Sequence, residues 1–350
     1  MMKPESPAVH FDDLGATVVL GALPPEAAQE LPSLYQSAFA VPEYFPVYKG
    51  DATLNTCLLE TPRHVVPFVV EGRSVTLLNR LWLIEPDSVT RCLIAIFRAL
   101  PEVQRAVLQV AFDPSAIELP ARVLERSVDL VVTLPAGSEP ASSLLSSATR
   151  KHTRNYLNRL RRDHPGHRFI VIESSQIDAT LVEAVADLVR RRLAHKGVAP
   201  TFTDEYVRRL IPLAQRWGLV AALTVDEQII AADLCSRVGT QVYDHLGSFL
   251  PAYGRYEPGW LCVLHAMDSV RARGCTHFHL LWGEHEYKYR LGGEPTPLAT
   301  VAVYRSRVAS TRSVADLAGP LLARSRQAAQ TAAQRLKRRL RASWTRATLR

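Results

Sequence analysis

Apolar and polar positions recur with two different periods along this chain, and the changes of period mark out its elements. Alternating or continuous apolar runs predict strands at Ala16–Leu20, Leu54–Glu60, His64–Glu71, Ser74–Leu78, Arg105–Ala111 and Val128–Leu134. Helical spacing predicts Pro24–Phe39, opening on Pro24-Pro25, and Pro86–Leu100, where Val89, Leu93, Ile96, Phe97 and Leu100 share one side. Pro135-Ala136-Gly137-Ser138-Glu139-Pro140 has the composition of a linker. Beyond it, helices are predicted at Ser142–Asp163, Ile177–His195 and Asp204–Trp217, with a strand at His167–Ile172. From Leu219 to Tyr304 the order is strand, turn, strand, turn, strand, loop, helix, strand and a short polar motif. The whole reads as an α/β protein of mixed, largely antiparallel sheets flanked by helices, divided at 1–135, 136–311 and 312–350.

At 350 residues, 47% apolar and 22% charged, the chain can bury two ordinary cores. It contains no apolar run of membrane-spanning length, and Met1 to His10 lack the basic start and apolar core of a signal peptide. Five scattered cysteines, with no Cys-x-x-Cys, fit buried thiols in a reducing cytoplasm, so the expected location is cytoplasmic. The net charge of +8 is uneven: residues 312–350 carry ten basic groups and one acid, leaving the rest at −1. A general nucleic-acid-binding surface on the body is therefore disfavoured.

Three places could carry chemistry. Tyr253, Gly254, Arg255, Tyr256, Pro258, Gly259 and Trp260 form a glycine- and proline-bearing loop that feeds a helix starting near Glu257. Helix-start N–H groups bind phosphate, and the two glycines would allow close backbone approach; a plain helix-capping turn has the same composition. In the hairpin Ile229–Arg237 and Gln241–Gly247, a three-residue turn at Val238-Gly239-Thr240 would set Asp233 opposite His245 and Cys235 opposite Tyr243. A His held by an Asp would suit a general base, and a polar pair without catalytic duty is the plainer alternative. The third is Gly283-Glu284-His285-Glu286-Tyr287-Lys288. His277, His279 and His285 complete no recognisable metal set, so no metal is expected.

The element order and these motifs resemble the cofactor half of a GNAT-superfamily acyltransferase, and more narrowly the CelD-type acetyltransferases of exopolysaccharide and cellulose synthesis, relatives of the Fem peptidyltransferases. Gly283, Glu284, Tyr287 and Lys288 match the CelD-type Gly-acid-x-x-Tyr-Lys pattern, while His279 stands where that pattern has an acid. The loop at Tyr253–Trp260 lacks the usual Arg/Gln-x-x-Gly-x-Gly/Ala form. The resemblance implies tandem GNAT-like halves, the first degenerate, and acetyl transfer from acetyl-coenzyme A to a hydroxyl or amine of a sugar or polysaccharide precursor. It implies catalytic roles for Tyr287 and Lys288 beside His245 and Asp233, donor binding by the loop, and acceptor contacts from Tyr243, His279 and Glu284. The alternatives are a Fem-like transferase using aminoacyl-tRNA, with the basic Ser142–Asp163 helix on the nucleic acid, and a non-enzymatic partner-binding protein.

The last expectation concerns 312–350. Leu317, Leu321, Ala328, Ala332, Leu336, Leu340 and Trp344 recur at near-helical spacing beside Arg335, Lys337, Arg338, Arg339 and Arg341. That pattern predicts a basic amphipathic helix peripheral on an anionic membrane surface, with a solvated or disordered tail, or a helix packed on a protein partner, as the plainer alternatives.

Overall fold

The computed structural model describes residues 7–81, 84–200 and 202–312; the amphipathic segment expected beyond Arg312 lies outside them. The elements run β1 (Ala8–Phe11), β2 (Ala16–Val19), α1 (Pro25–Tyr35), α2 (Phe45–Lys49), β3 (Asn55–Leu59), β4 (His64–Glu71), β5 (Ser74–Leu77), α3 (Pro86–Ala99), β6 (Arg105–Val110) and β7 (Ala121–Thr133). They continue with α4 (Ser147–Asp163), β8 (Arg168–Glu173), α5 (Ala179–His195), α6 (Asp204–Trp217), β9 (Gly218–Val225), β10 (Gln228–Val238) and β11 (Gln241–Phe249). The chain then forms α7 (Pro258–Arg271), β12 (His277–His279), α8 (Glu286–Arg290), β13 (Glu294–Tyr304) and α9 (Arg307–Arg312).

Local chemistry sets the helix ends. Thr203 and Asp178 accept hydrogen bonds from the N–H groups of Tyr206 and Leu181, capping α6 and α5. Helix α3 starts on Pro86 and buries Val89, Leu93, Ile96 and Phe97, the side its spacing predicted. Helix α1 stops at Tyr35, short of the expected Phe39, because Gln36 turns left-handed (φ 47°) and Ser37 caps a separate 3-10 turn through Phe39 N. Strand β7 begins at Ala121, well before the predicted Val128.

The strands form one thirteen-stranded sheet in the order β1-β2-β3-β4-β5-β6-β13-β7-β12-β11-β10-β9-β8. Each half repeats one plan. Antiparallel strands lead to a parallel pair bridged by a helix: β5 and β6 by α3 in the first half, β11 and β12 by α7 in the second. The halves then exchange their last strands. β7, from the first half, pairs with β12, while β13, from the end of the second, lies between β6 and β7. Ala299, Val301 and Val303 of β13 thereby complete the core built on β2–β6 and α3. A larger core lies around β9–β12, α5, α6 and α7.

Candidate active site

The parallel pair β11–β12 decides where the main cavity opens. The two strands are in register only from Gln241 opposite His277 to Tyr243 opposite His279. Beyond that point they diverge, and the residues that follow on each, Asp244–Phe249 and Leu280–Trp282, line a cavity of about 700 Å³. The first half closes it with Phe39, Tyr44, Tyr48 and Arg80. The Arg80 guanidinium lies 4.7 Å from the Tyr48 ring and 4.3 Å from that of Trp282, and it donates to Tyr44 Oη at 3.1 Å.

The β10–β11 hairpin has a two-residue turn, Gly239-Thr240, with Val238 opposite Gln241. This corrects the expected three-residue turn: Gly239 takes the positive φ (59°) that a tight hairpin requires. A bulge follows between Leu234 and Cys235, so that Leu234 faces Leu246 and Cys235 faces Asp244. Asp233 therefore stands opposite Gly247, not His245, and no Asp233–His245 hydrogen bond forms. The bulge also breaks the alternation of β11, so that Asp244 and His245 both line the cavity. His245 Nε2 has no partner among the described residues, and burial alone lowers the imidazole to about 4.

The carboxylate partner of Asp233 is Asp244. A Cβ at Gly247 would stand 2.0 Å from Asp233 Oδ1 and 3.7 Å from Asp244 Oδ1, so both carboxylates converge on the side chain that Gly247 lacks. Asp233 Oδ2 and Asp244 Oδ1 are buried without hydrogen-bond partners among the described residues. Burial, then the Asp244 charge, pushes Asp233 well above the usual carboxylate range. Burial raises Asp244 to about 6, with the Lys288 ammonium acting against it. Two such groups do not readily ionise together, so near neutrality the pair carries one proton.

Lys288 is buried, with Nζ donating to Leu281 O at 3.1 Å and Trp282 O at 2.6 Å. Burial lowers its ammonium, while Asp244 and Asp129 act to raise it. A solvated surface role for Lys288 is thus excluded. Tyr287 also lines the cavity; burial and the Asp244 and Asp233 charges push its hydroxyl up. Arg192 reaches the cavity from α5, its guanidinium 4.3 Å from the Phe249 ring.

The other predicted residues divide between the cavity and its surroundings. Of the loop, Gly259 and Trp260 line the cavity, together with Glu257. A Cβ at Gly259 would meet Phe249 Cδ1 at 3.0 Å, so that glycine makes room for the ring, whereas a Cβ at Gly254 would stand in ordinary contact with Phe249 Cε2 at 3.8 Å. Tyr253 packs near His164, with ring centroids 5.5 Å apart. The hydroxyl of buried Tyr256 donates to Asp163 at 3.0 Å, and Arg255 pairs with the same carboxylate. Pro258 is the buried first residue of α7. Tyr243 and His279 stack at 4.2 Å behind the cavity, where His279 bridges Asp129 (2.5 Å) and Gln241 (3.0 Å). Glu284 accepts a hydrogen bond from Tyr289 Oη. No group of His, Cys, Asp and Glu among the described residues is arranged to hold a metal.

Sequence reasoning missed Asp244, Arg192, Tyr44, Tyr48 and Arg80. Asp244 is hidden by the bulge, whereas the aromatic run Phe39–Tyr48 was visible in the sequence but carried no sign of which half it would cover.

The family model of the acetyltransferase (GNAT) domain matches residues 147–289. The fold is α/β, with the first half repeating the plan of the matched half, so that two GNAT-like halves share one sheet. FemX shares it with a TM-score of 0.61 at 8% identity, covering 79% of this chain and 96% of that one. The C-terminal domain of a protein described as a lysylphosphatidylglycerol synthetase, from Agrobacterium fabrum, gives 0.54 at 17% identity, covering 82% and 93%. L-PGS from Bacillus licheniformis gives 0.51 at 13% identity, covering 83% and 96%. No curated protein matches the chain in sequence.

Proposed function

We propose that the protein is an acyltransferase that carries acetyl from acetyl-coenzyme A to a hydroxyl or amine of a sugar or polysaccharide precursor in one ternary complex. The observation that carries this reading is the opening between β11 and β12, which ends on the Asp233–Asp244 pair beside Lys288. Asp244, ionised above about pH 6, takes the proton from the acceptor as its oxygen or nitrogen attacks the thioester carbonyl. Lys288 has one N–H beyond the two held by Leu281 and Trp282, and that donor faces developing negative charge. Neutral Asp233 returns a proton to the departing thiolate, so the pair ends with the proton count it began with. The planar faces of Tyr44, Tyr48 and Trp282 give an acceptor sugar ring flat apolar surface.

A second reading, a Fem-like transfer from aminoacyl-tRNA, is favoured by one feature: α4 presents exposed Arg150, Lys151, Arg154 and Arg161. One assay separates the two. The protein is incubated with acetyl-coenzyme A and a panel of amino and neutral sugars, and free thiol and acetylated product are measured; a parallel reaction uses charged tRNA. Thiol release that depends on the acceptor supports the first reading. Transfer only from charged tRNA replaces it with the second, and no transfer in either reaction leaves a binding protein. We further propose that the segment beyond Arg312 holds the protein to an anionic membrane surface in the cytoplasm. Sedimentation with anionic but not neutral liposomes, lost on deletion of residues 324–350, is the expected result.

A further inference from the structure

A second cavity, of about 410 Å³, lies on the far side of α4 and α7 from the first. The two cavities use different sides of the same helices. From α7, Gly259, Trp260 and Val263 face the first, and Leu261, Leu264, His265 and Asp268 face the second. From α4, Tyr156 faces the first, whereas Arg150, Arg154, Leu157 and Arg161 face the second. Between them, Trp260 Nε1 donates to Thr153 Oγ1 at 2.9 Å and joins the helices.

The second cavity has two unlike walls. Arg150, Arg154 and Arg161 recur on α4 at the i, i+4, i+11 spacing that makes one stripe. Arg150 donates to Ser143 O at 3.1 Å, but the guanidinium groups of Arg154 and Arg161 have no hydrogen-bond or ion-pair partner among the described residues. The acid in the cavity, Asp268, is already engaged: it accepts from Ala141 N at 2.6 Å and lies 3.9 Å from Arg271 Nε. Opposite stand three partly exposed rings, His167, Phe169 and His265, with centroid separations of 6.1 Å between the first two and 4.9 Å between the last two. Leu261 and Leu264 form an apolar floor.

We propose that this cavity binds a nucleoside phosphate at a site separate from the main cavity. Planar, fixed-charge guanidinium groups match phosphate oxygens. The rings of Phe169 and His265, tilted by 38° to each other, offer a face to a base, which a bare anion would not need. The volume is in the range of small-ligand sites. An amphiphilic cleft with arginine on one wall and rings on the other suits a ligand that is anionic at one end and aromatic at the other.

Calorimetry on the full chain with ADP tests the assignment, run with and without saturating acetyl-coenzyme A so that occupation of the main cavity is accounted for. ADP should bind in both conditions. The double variant Arg154→Ala, Arg161→Ala changes exposed side chains; it should weaken that binding by about tenfold or more. Phe169→Leu should weaken ADP but not inorganic phosphate. The proposal is overturned if ADP does not bind once acetyl-coenzyme A is present, or if the double variant binds it as tightly as wild type. Inorganic phosphate binding as tightly as ADP overturns it too, since the rings would then read nothing. So does a stronger preference for phosphatidylglycerol vesicles, which would make the stripe a lipid contact. None of these outcomes depends on whether the main cavity transfers acetyl groups.

Discussion

Replacing Asp244 by Asn should make the protein more stable and less active, and both effects can be worked from the burial of that carboxyl. Its ordinary value is 3.8, and in the fold it stands at about 6. A carboxyl whose folded value is raised favours the native state while it is protonated. That contribution is present below the unfolded value and is lost as pH rises through the folded one. The difference is about two units, and at about 1.4 kcal/mol per unit the ionised Asp244 costs the fold ~3 kcal/mol above about pH 7. An amide of the same shape carries no such penalty. It also removes the charge that opposes ionisation of Asp233. Urea unfolding of Asp244→Asn should therefore show a gain approaching ~3 kcal/mol near pH 7.5, shrinking below about 1 kcal/mol near pH 4. Turnover, which needs the ionised carboxylate as base, should fall by about 10²-fold or more. A gain of equal size at both pH values would show that ionisation is not its source. Destabilisation near neutrality would show that the Lys288 pairing outweighs burial, reversing the order of effects argued here.

Other expectations follow from the same cavity. In Gly247→Val the new Cβ, 2.0 Å from Asp233 Oδ1, should cost about 1–3 kcal/mol by overpacking and abolish acceptor-dependent thiol release; normal urea stability would contradict the crowding. The pH profile of kcat/KM should rise through about 6 and keep that limb in His245→Ala, since His245 titrates near 4; a limb lost with His245 would make the imidazole the base. Lys288→Met should leave the Leu281 and Trp282 carbonyls without their donor, at about 1–3 kcal/mol each, and move that limb upward, and an unmoved limb would separate Lys288 from Asp244. Arg80→Ala should raise KM for the acceptor while leaving acetyl-coenzyme A binding, measured calorimetrically, unchanged.

The order of elements in the second half was legible residue by residue. Asp204–Trp217 there and the strand His64–Glu71 in the first half have their predicted bounds, the helix because apolar periodicity and the Thr203 cap agree and the strand because its apolar run ends at a tight turn. The first part of β7 was not legible: Arg122, Glu125 and Arg126 make it polar, and it is a strand only because β13 pairs along it. The Asp233–His245 pairing failed on two residues of register, one from the shorter turn and one from a bulge that strict alternation cannot anticipate. Gly259 was visible, but its reason, the ring of Phe249, is a tertiary contact. Lys288 was found by motif, and its burial could not be read from a charged residue in a polar stretch.

The exchange of β7 and β13 bears on how the chain is made. During synthesis the first half emerges early, yet the strand that lies against β6 is residues 294–304. Until those residues leave the ribosome, the face that Ala299, Val301 and Val303 will cover stays open to solvent and β6 keeps an unpaired edge. The two halves therefore mature together, once residues 294–304 have emerged. A chain that stops before Glu294 lacks more than a terminal strand: it leaves the first half with an adhesive edge that quality control can recognise.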